Sequence, residues 1–327
     1  MAKAANISGA TVSRVLSGRT DISISEEARA KVLEAAKSLG YQPNRMARAL
    51  VTGRTGLVGV WMSLHYSRYR SQVLDRMRAL LGQTELAMAV TDIDEEYSWD
   101  HSFDRALRMP VEGIIAFDAE KSVEAFAKNS DRLAPRMPFV SMGAYWAHEK
   151  SYVGIDLRSG AEAAMDHLLG TGRRHVAFMA PANSGLLLRG ARAESYQERM
   201  RDSGLPTRVL AAEGVRMDSV MQTLSDAIAT DPKLDAILCM NDDLAIYTVF
   251  ALQKMGIRPG LDIAVVGFDG IDEAEQCPCP ITTVSQPASQ MCSLAIEFLN
   301  AQMEDPSAEP QQIVLQPTLV IRSSSMA

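Results

Sequence analysis

From Leu57 onward the chain repeats one pattern, a short apolar run followed by a stretch of helical period. The runs are LVGVWMS, ELAMAVTD, VEGIIAFD, PFVSMG, YVGID, HVAFMAP, LDAILCMND and IAVVGFD, and amphipathic stretches such as Gln72–Leu81, Gly160–Leu169 and Tyr196–Ser203 lie between them. This alternation predicts parallel sheets covered by helices on both faces. Eight such units in about 270 residues are too many for one ordinary open sheet, which predicts two doubly wound lobes. Ligands of such folds bind at the carboxyl ends of the strands. Asn241 and Asp242 follow LDAILCM, and Asp269 follows IAVVGF, so these residues are expected to face a cleft between lobes.

The first 54 residues are of another kind. They hold nine Lys and Arg against four acids, a net +5, whereas the whole chain carries -7. A basic head on an acidic body points to a polyanion-binding module joined to a body that does not bind polyanions. Within the head, Ser8 is placed to cap a helix from about Gly9 to Ser17, which Gly18 ends. Ser25 starts another, with Glu26 and Glu27 in its first turn and an apolar face of Ala28, Val32, Leu33, Ala36 and Leu39 that Gly40 closes. With the helical piece Met1–Ala5 this gives a helix-turn-helix layout, in which the second helix enters the major groove by its N-terminal end. In YQPNRMARALVTGRTG, Pro43 and Asn44 start a helix of barely two turns that Gly53 and Gly56 break. So short a helix is marginal in water, and DNA is the expected partner that holds it, with Arg45 and Arg48 towards phosphates.

Several classes are excluded. No apolar run approaches the roughly 18 residues that span a membrane, and MAKAANISGA lacks the apolar core of a signal peptide. The cytoplasm, at the bacterial nucleoid, is the expected compartment. The four cysteines, Cys239, Cys277, Cys279 and Cys292, are expected to be reduced. The five histidines show no metal-ligand spacing, and Cys277-Pro278-Cys279 lacks a second pair. GxSxG, HExxH and P-loop motifs are absent, so neither catalysis nor a cofactor is expected. Trp61, Trp99 and Trp146 read as packing or rim residues.

Taken in order, ATVSRVLSG, GYQPNRMARAL with TGRTG, EGIIAFD, HLLGTGRRHVAFMAP, CMNDDLAIYTVFALQKMG, DIAVVGFDG, PITTVSQP and PTLVIRSS make the chain resemble LacI/GalR-family transcriptional regulators along nearly its whole length. The resemblance implies a small all-α helix-turn-helix head at 1–40, a hinge at 41–56 and an α/β core at 57–327. That core would be two doubly wound, type I periplasmic-binding-protein-like lobes. The N-lobe would comprise about 57–155 plus 286–313, and the C-lobe about 156–285 plus 314–327. It implies a homodimer on a palindromic operator, a small-molecule effector in the cleft, and no membrane partner. No apolar heptad follows PTLVIRSS, so a dimer is the expected limit.

Carried over by position, the resemblance assigns base reading to Gly9, Ala10 and Arg14 and phosphate contacts to Thr11 and Ser13. Gly9 departs from the larger side chains common in the family, leaving Ala10 a thymine methyl and Arg14 a guanine edge. Leu50 matches the hinge wedge in the minor groove, with Asn44 and Ala47 on the same surface. In the cleft, Asp269, Asn241 and Arg192 match effector-binding positions. Ser63, Tyr69, Arg70, Val73, Phe117, Arg216 and Gln286 fall at or near others. Arg70, Arg192 and Arg216 together favour an anionic effector such as a sugar acid or sugar phosphate. The competing expectation is that Arg70 and Arg216 pair with Asp269, Asp242 or surface acids.

The family's first helix begins several residues before the position of Met1, so upstream codons that complete it are expected. The resulting expectation is a DNA-binding regulator, a repressor, switched by a sugar or sugar-acid-like effector. The alternative is a solute-binding or sensor core whose shortened head does not act on DNA.

Overall fold

The computed structural model describes residues 2–16, 24–41, 54–63, 67–93, 108–118, 137–144, 149–182 and 190–326. Among the described residues the head contains α1 (Ala2–Ala5), α2 (Gly9–Leu16) and α3 (Glu26–Ser38). Ser8 Oγ accepts the Thr11 amide at 3.2 Å and Ser25 Oγ accepts that of Ala28 at 3.3 Å, so both helices start at the serines the sequence singles out. Ala5, Val12, Val15, Val32 and Ala35 make a separate small core. The expected apolar face of α3 is only partly used: Val32, Ala35 and Ala36 are buried, while Leu33 and Leu39 are 52% and 56% exposed. Among the described residues, α3 packs against the short helices α1 and α2.

The core begins with β1 (Leu57–Met62), α4 (Arg68–Leu81), β2 (Ala87–Asp92), β3 (Gly113–Phe117), β4 (Phe139–Gly143) and β5 (Ser151–Ile155). It continues with α5 (Leu157–Gly170), β6 (Val176–Pro181), α6 (Ala191–Asp202), β7 (Val209–Ala212), α7 (Met217–Thr230), β8 (Ala236–Cys239), α8 (Asp242–Lys254) and β9 (Ala264–Asp269). It ends with α9 (Asp272–Gln276), β10 (Thr282–Ser285), α10 (Ala288–Glu304), β11 (Gln312–Leu315) and β12 (Thr318–Val320). The strands form two six-stranded sheets, ordered β11-β5-β4-β3-β1-β2 and β12-β10-β9-β8-β6-β7. All pairings are parallel except that of β10 with β12. The two doubly wound lobes expected from the alternating runs are present.

The apolar runs are continuous because the strands are covered on both faces: every residue of β3, β4, β8 and β9 is buried. In the first lobe α4 and α10 pack together, and α10 lies on β3, β4 and β5. In the second, α5 packs on α6 and α7 on α8. Trp61 is fully buried, with its ring 6.4 Å from that of Phe139 at an edge-on angle, and is a packing residue. The chain passes between lobes at three places: from β5 to α5, from β10 to α10, and from β11 to β12. Those crossings bring the carboxyl ends of β1, β3 and β4 to face those of β8 and β9. Among the described residues no helix is long and apolar enough to cross a membrane.

Candidate functional site

Two surfaces carry the residues expected to bind. On α2, burial of Val12 and Val15 turns Gly9, Ala10, Ser13 and Arg14 outward. A Cβ on Gly9 would meet nothing within 4 Å, so packing does not require glycine there, and the helix start is an open surface. Thr11 is half-buried and its hydroxyl lies 2.9 Å from Ser8 Oγ, so it belongs to the cap as well as to the outer face. Asn44, Ala47 and Leu50 lie outside the described residues.

The second surface is the cleft. Its best-defined feature is a chain of hydrogen bonds running from one lobe to the other. Tyr69, in the first turn of α4, donates to Gln286 Oε1 at 3.1 Å. Gln286 Nε2 donates to Asp269 Oδ1 at 2.8 Å, and the Gln286 amide donates to the Asp269 carbonyl at 3.1 Å. Arg192 Nη1 stands 3.8 Å from Asp269 Oδ1 and donates to the Met240 carbonyl at 2.7 Å. Its guanidinium lies 4.9 Å above the Phe268 ring. Gln286 belongs to the segment that passes between lobes, so Asp269 is tied both to its own lobe and to the crossing.

Asp269 ends β9 with φ 120, a backbone conformation that side chains rarely adopt. Gly270, at φ 78, completes the turn, and a Cβ there would lie 2.4 Å from Ser285 Oγ. The turn is held from below by Asp242. Its Oδ2 accepts the amides of Gly270 at 2.7 Å and Ile271 at 2.9 Å, and its Oδ1 accepts the Thr283 hydroxyl at 2.6 Å. Asp242 is fully buried and does not face the cleft, contrary to the expectation from its place after β8. Asn241 accepts the Leu244 amide at 2.9 Å, and its side chain serves as the cap of α8.

The other expected cleft residues divide. Ser63 follows β1 half-buried. Phe117 is fully buried at the end of β3, its ring 6.0 Å from that of Tyr69. Arg70 is half-buried on α4. Val73 is fully buried beneath the site in the lobe core, because Tyr69, Val73, Met77 and Leu81 form one inward stripe. Arg216 is exposed before α7 and reaches back to the Glu213 carbonyl at 3.5 Å. The three arginines therefore do not form one cluster.

One residue was missed. Asp118, directly after β3, has φ 45, and its Oδ1 accepts the Ala144 amide at 2.7 Å. Gly143, at φ 97, makes room: a Cβ there would lie 2.1 Å from that oxygen. Asp118 lies within electrostatic reach of Arg70 and Arg192, one from each lobe. Burial raises its carboxyl above the ordinary range, against the pull of the Ala144 amide and the two arginines. Burial likewise raises Asp269 well above that range, with Arg192 opposing and Asp242 and Asp243 adding repulsion. The sequence signal for Asp118 is the one that marks Asp269, an acid directly after an apolar run. Among the described residues no group of three or more His, Cys, Asp and Glu side chains could hold a metal ion.

The arrangement is a strand-end cleft with acceptors and donors from both lobes, joined to a small helical head. Comparison with known proteins agrees with it. Residues 1–44 match the model of bacterial regulatory proteins, lacI family, and residues 165–325 match that of the periplasmic binding protein-like domain. The ribose operon repressor of Halalkalibacterium halodurans is 26% identical over 99% of this chain and 96% of its own length. The structure of a LacI-family transcriptional regulator from Silicibacter pomeroyi is 25% identical, with TM-score 0.84 over 100% of this chain and 98% of that one. A Lac repressor dimer bound to operator and the anti-inducer ONPF shares the fold at 22% identity, with TM-score 0.80 over 100% of this chain and 98% of that one. The chain thus joins a lacI-family head to a periplasmic binding protein-like domain and is similar from end to end to regulators of the lacI family.

Proposed function

We propose that the protein is a transcriptional repressor that binds operator DNA as a homodimer and releases or grips it according to a hydroxyl-rich carbohydrate bound between the lobes. It binds rather than catalyses. The observation that carries the reading is the Arg192–Asp269–Gln286–Tyr69 chain, which joins a strand-end acid to the crossing between lobes. A ligand that engages Asp269 acts directly on the segment that sets the angle between lobes. The outward row Gly9, Ala10, Ser13 and Arg14 supports the head's role, as does the name of the ribose operon repressor.

The charge around the cleft favours a neutral sugar. Asp118 and Asp269 offset Arg70 and Arg192, and the exposed Arg216 turns back to the Glu213 backbone carbonyl. A carboxylate offers about four acceptor sites, of which Asp118 has given one to Ala144, so acids on both lobes suit a ligand rich in hydroxyl donors. A sugar acid is the second reading, favoured by the burial that holds both carboxyls towards their protonated form. Titration calorimetry against neutral aldoses, aldonic acids and sugar phosphates separates the two. Operator binding measured alongside, over a series of salt concentrations, tests the head: the affinity is expected to fall steeply as salt rises. Salt-independent DNA binding, or no response of DNA binding to any ligand that binds the cleft, refutes the proposal.

A further inference from the structure

Apart from the chain through Gln286, a second contact between the lobes joins Arg68 to Asp243. Arg68 opens α4 in the first lobe, and Asp243 lies in the first turn of α8 in the second. The Arg68 amide donates to Asp243 Oδ2 at 3.2 Å, and its guanidinium pairs with Oδ1. The Asp243 side chain is 4% exposed and that of Arg68 24%. One buried carboxylate therefore stands at two helix N-termini, its own and that of a helix in the opposite lobe. It meets an N–H of α4 that has no partner within that helix. Ser67 caps the neighbouring Arg70 amide at 3.4 Å, so the two acceptors share the end of α4 between them. A weaker cross-lobe contact, Gln72 Nε2 to Glu273 Oε2 at 3.4 Å, lies one turn further along.

We infer that Asp243 is an interlobe latch: it caps α4 from the other lobe, pairs with Arg68, and holds the lobes in their present closure whether or not a ligand is bound. A change of the interlobe angle must pull the α4 N-terminus off a buried carboxylate, leaving that charge without its pair. Opening is thus opposed by a contact that is made or lost as a unit, and packed interfaces of that kind switch between discrete states. The latch also lies beside the ligand acid, since Asp243 adds to the repulsion felt by Asp269. Its role in gene control rests on the carbohydrate-switch reading; its existence does not.

The test therefore uses the full chain without DNA or sugar. Spin labels are placed at Gln83 and Lys254, exposed positions in opposite lobes, in a Cys279→Ser background, and the distance distribution is read by pulsed electron resonance. In the otherwise unchanged chain the longer, open distance should hold roughly 10% or less. Arg68→Ala and Asp243→Ala should each make it the major population, and Asp243→Asn should fall between. Arg78→Ala serves as the control, because Arg78 pairs with Asp75 on its own helix at 3.1 Å, and it should leave the distribution unchanged. If Asp243→Ala does not fold, Arg68→Ala decides. Unchanged distances in folded Arg68→Ala, or equal opening in Arg78→Ala, overturn the latch. A protein that opens as expected but binds no sugar would retain the latch and refute only the carbohydrate reading.

Discussion

Asp242 offers the sharpest test of how the Asp269–Gly270 turn is held. Replacing it with Ala leaves the Gly270 and Ile271 amides and the Thr283 hydroxyl without their acceptor in a fully buried place. Stranding each buried donor costs about 1–3 kcal/mol, and the hydroxyl is free to turn elsewhere, so a loss of about 3–5 kcal/mol is expected. Asn is a different case. Its carbonyl can take both amides, and its NH2 can face Thr283, whose hydroxyl accepts as well as donates. Asp242→Asn should therefore cost far less than Asp242→Ala. The pH dependence supplies a second signature. Burial raises the Asp242 carboxyl to about 7, against the bonds from Thr283, Ile271 and Gly270. The folded state then holds a proton that the unfolded state has released, so stability falls as pH rises from about 4 to about 7. That shift amounts to at most about 4 kcal/mol. Asn does not titrate, so its stability relative to Asp242 should improve across the same interval. Urea unfolding followed by circular dichroism at pH 4.5, 6 and 7.5 (about these values) measures both effects. Equal damage from Asn and Ala, or a constant difference between Asn and Asp at all three pH values, refutes this account of the turn.

Arg14→Ala should lower operator affinity by about 1–3 kcal/mol and relax one base position, read by titrating a set of operators substituted singly; equal loss on every sequence would make Arg14 a phosphate contact. Asp118→Ala should weaken sugar binding about tenfold, or about 1.4 kcal/mol, while operator affinity without ligand stays unchanged; calorimetry and DNA titration on one preparation check the pair. Tyr69→Phe removes the donor to Gln286 and should weaken ligand binding by about 1 kcal/mol, an expectation that unchanged affinity with an intact fold would defeat.

The central strands were legible because parallel strands covered on both faces leave long apolar runs, as in GIIAF of β3 and AVVGFD of β9. Two of the edge strands, β7 and β12, leave no such mark. In β7 burial alternates along VLAA, and β12 is three residues with none buried. The site was legible where chain position fixes it. An acid after a strand must stand at the carboxyl edge, which located Asp269 and should equally have located Asp118. Side-chain direction was not legible by that rule. Asn241 and Asp242 share that edge, yet one caps its helix and the other turns into the lobe. Arg216 failed for the same reason, since a position near the cleft does not say which way a long flexible side chain turns. Val73 was recoverable from spacing alone, because with Tyr69, Met77 and Leu81 it repeats every four residues along α4.

The two strained acids explain why ligand occupancy and lobe geometry should be coupled. Asp118 at φ 45 and Asp269 at φ 120 stand at strand ends in opposite lobes. Such conformations cost of order 1–3 kcal/mol each and persist only when the surroundings over-determine them. For Asp118 the offset is the bond from the Ala144 amide. For Asp269 it is the turn held by Asp242 and the two bonds from Gln286, one to its carbonyl and one to its carboxyl. Gln286 cannot follow a moving lobe without losing a bond to a residue that depends on it. A ligand that bridges Asp118 and Asp269 adds one more contact across the same gap, and that contact exists only at the spacing that these bonds enforce. Its free energy therefore falls on the closed arrangement alone, in the same direction as the contact of Asp243 with Arg68.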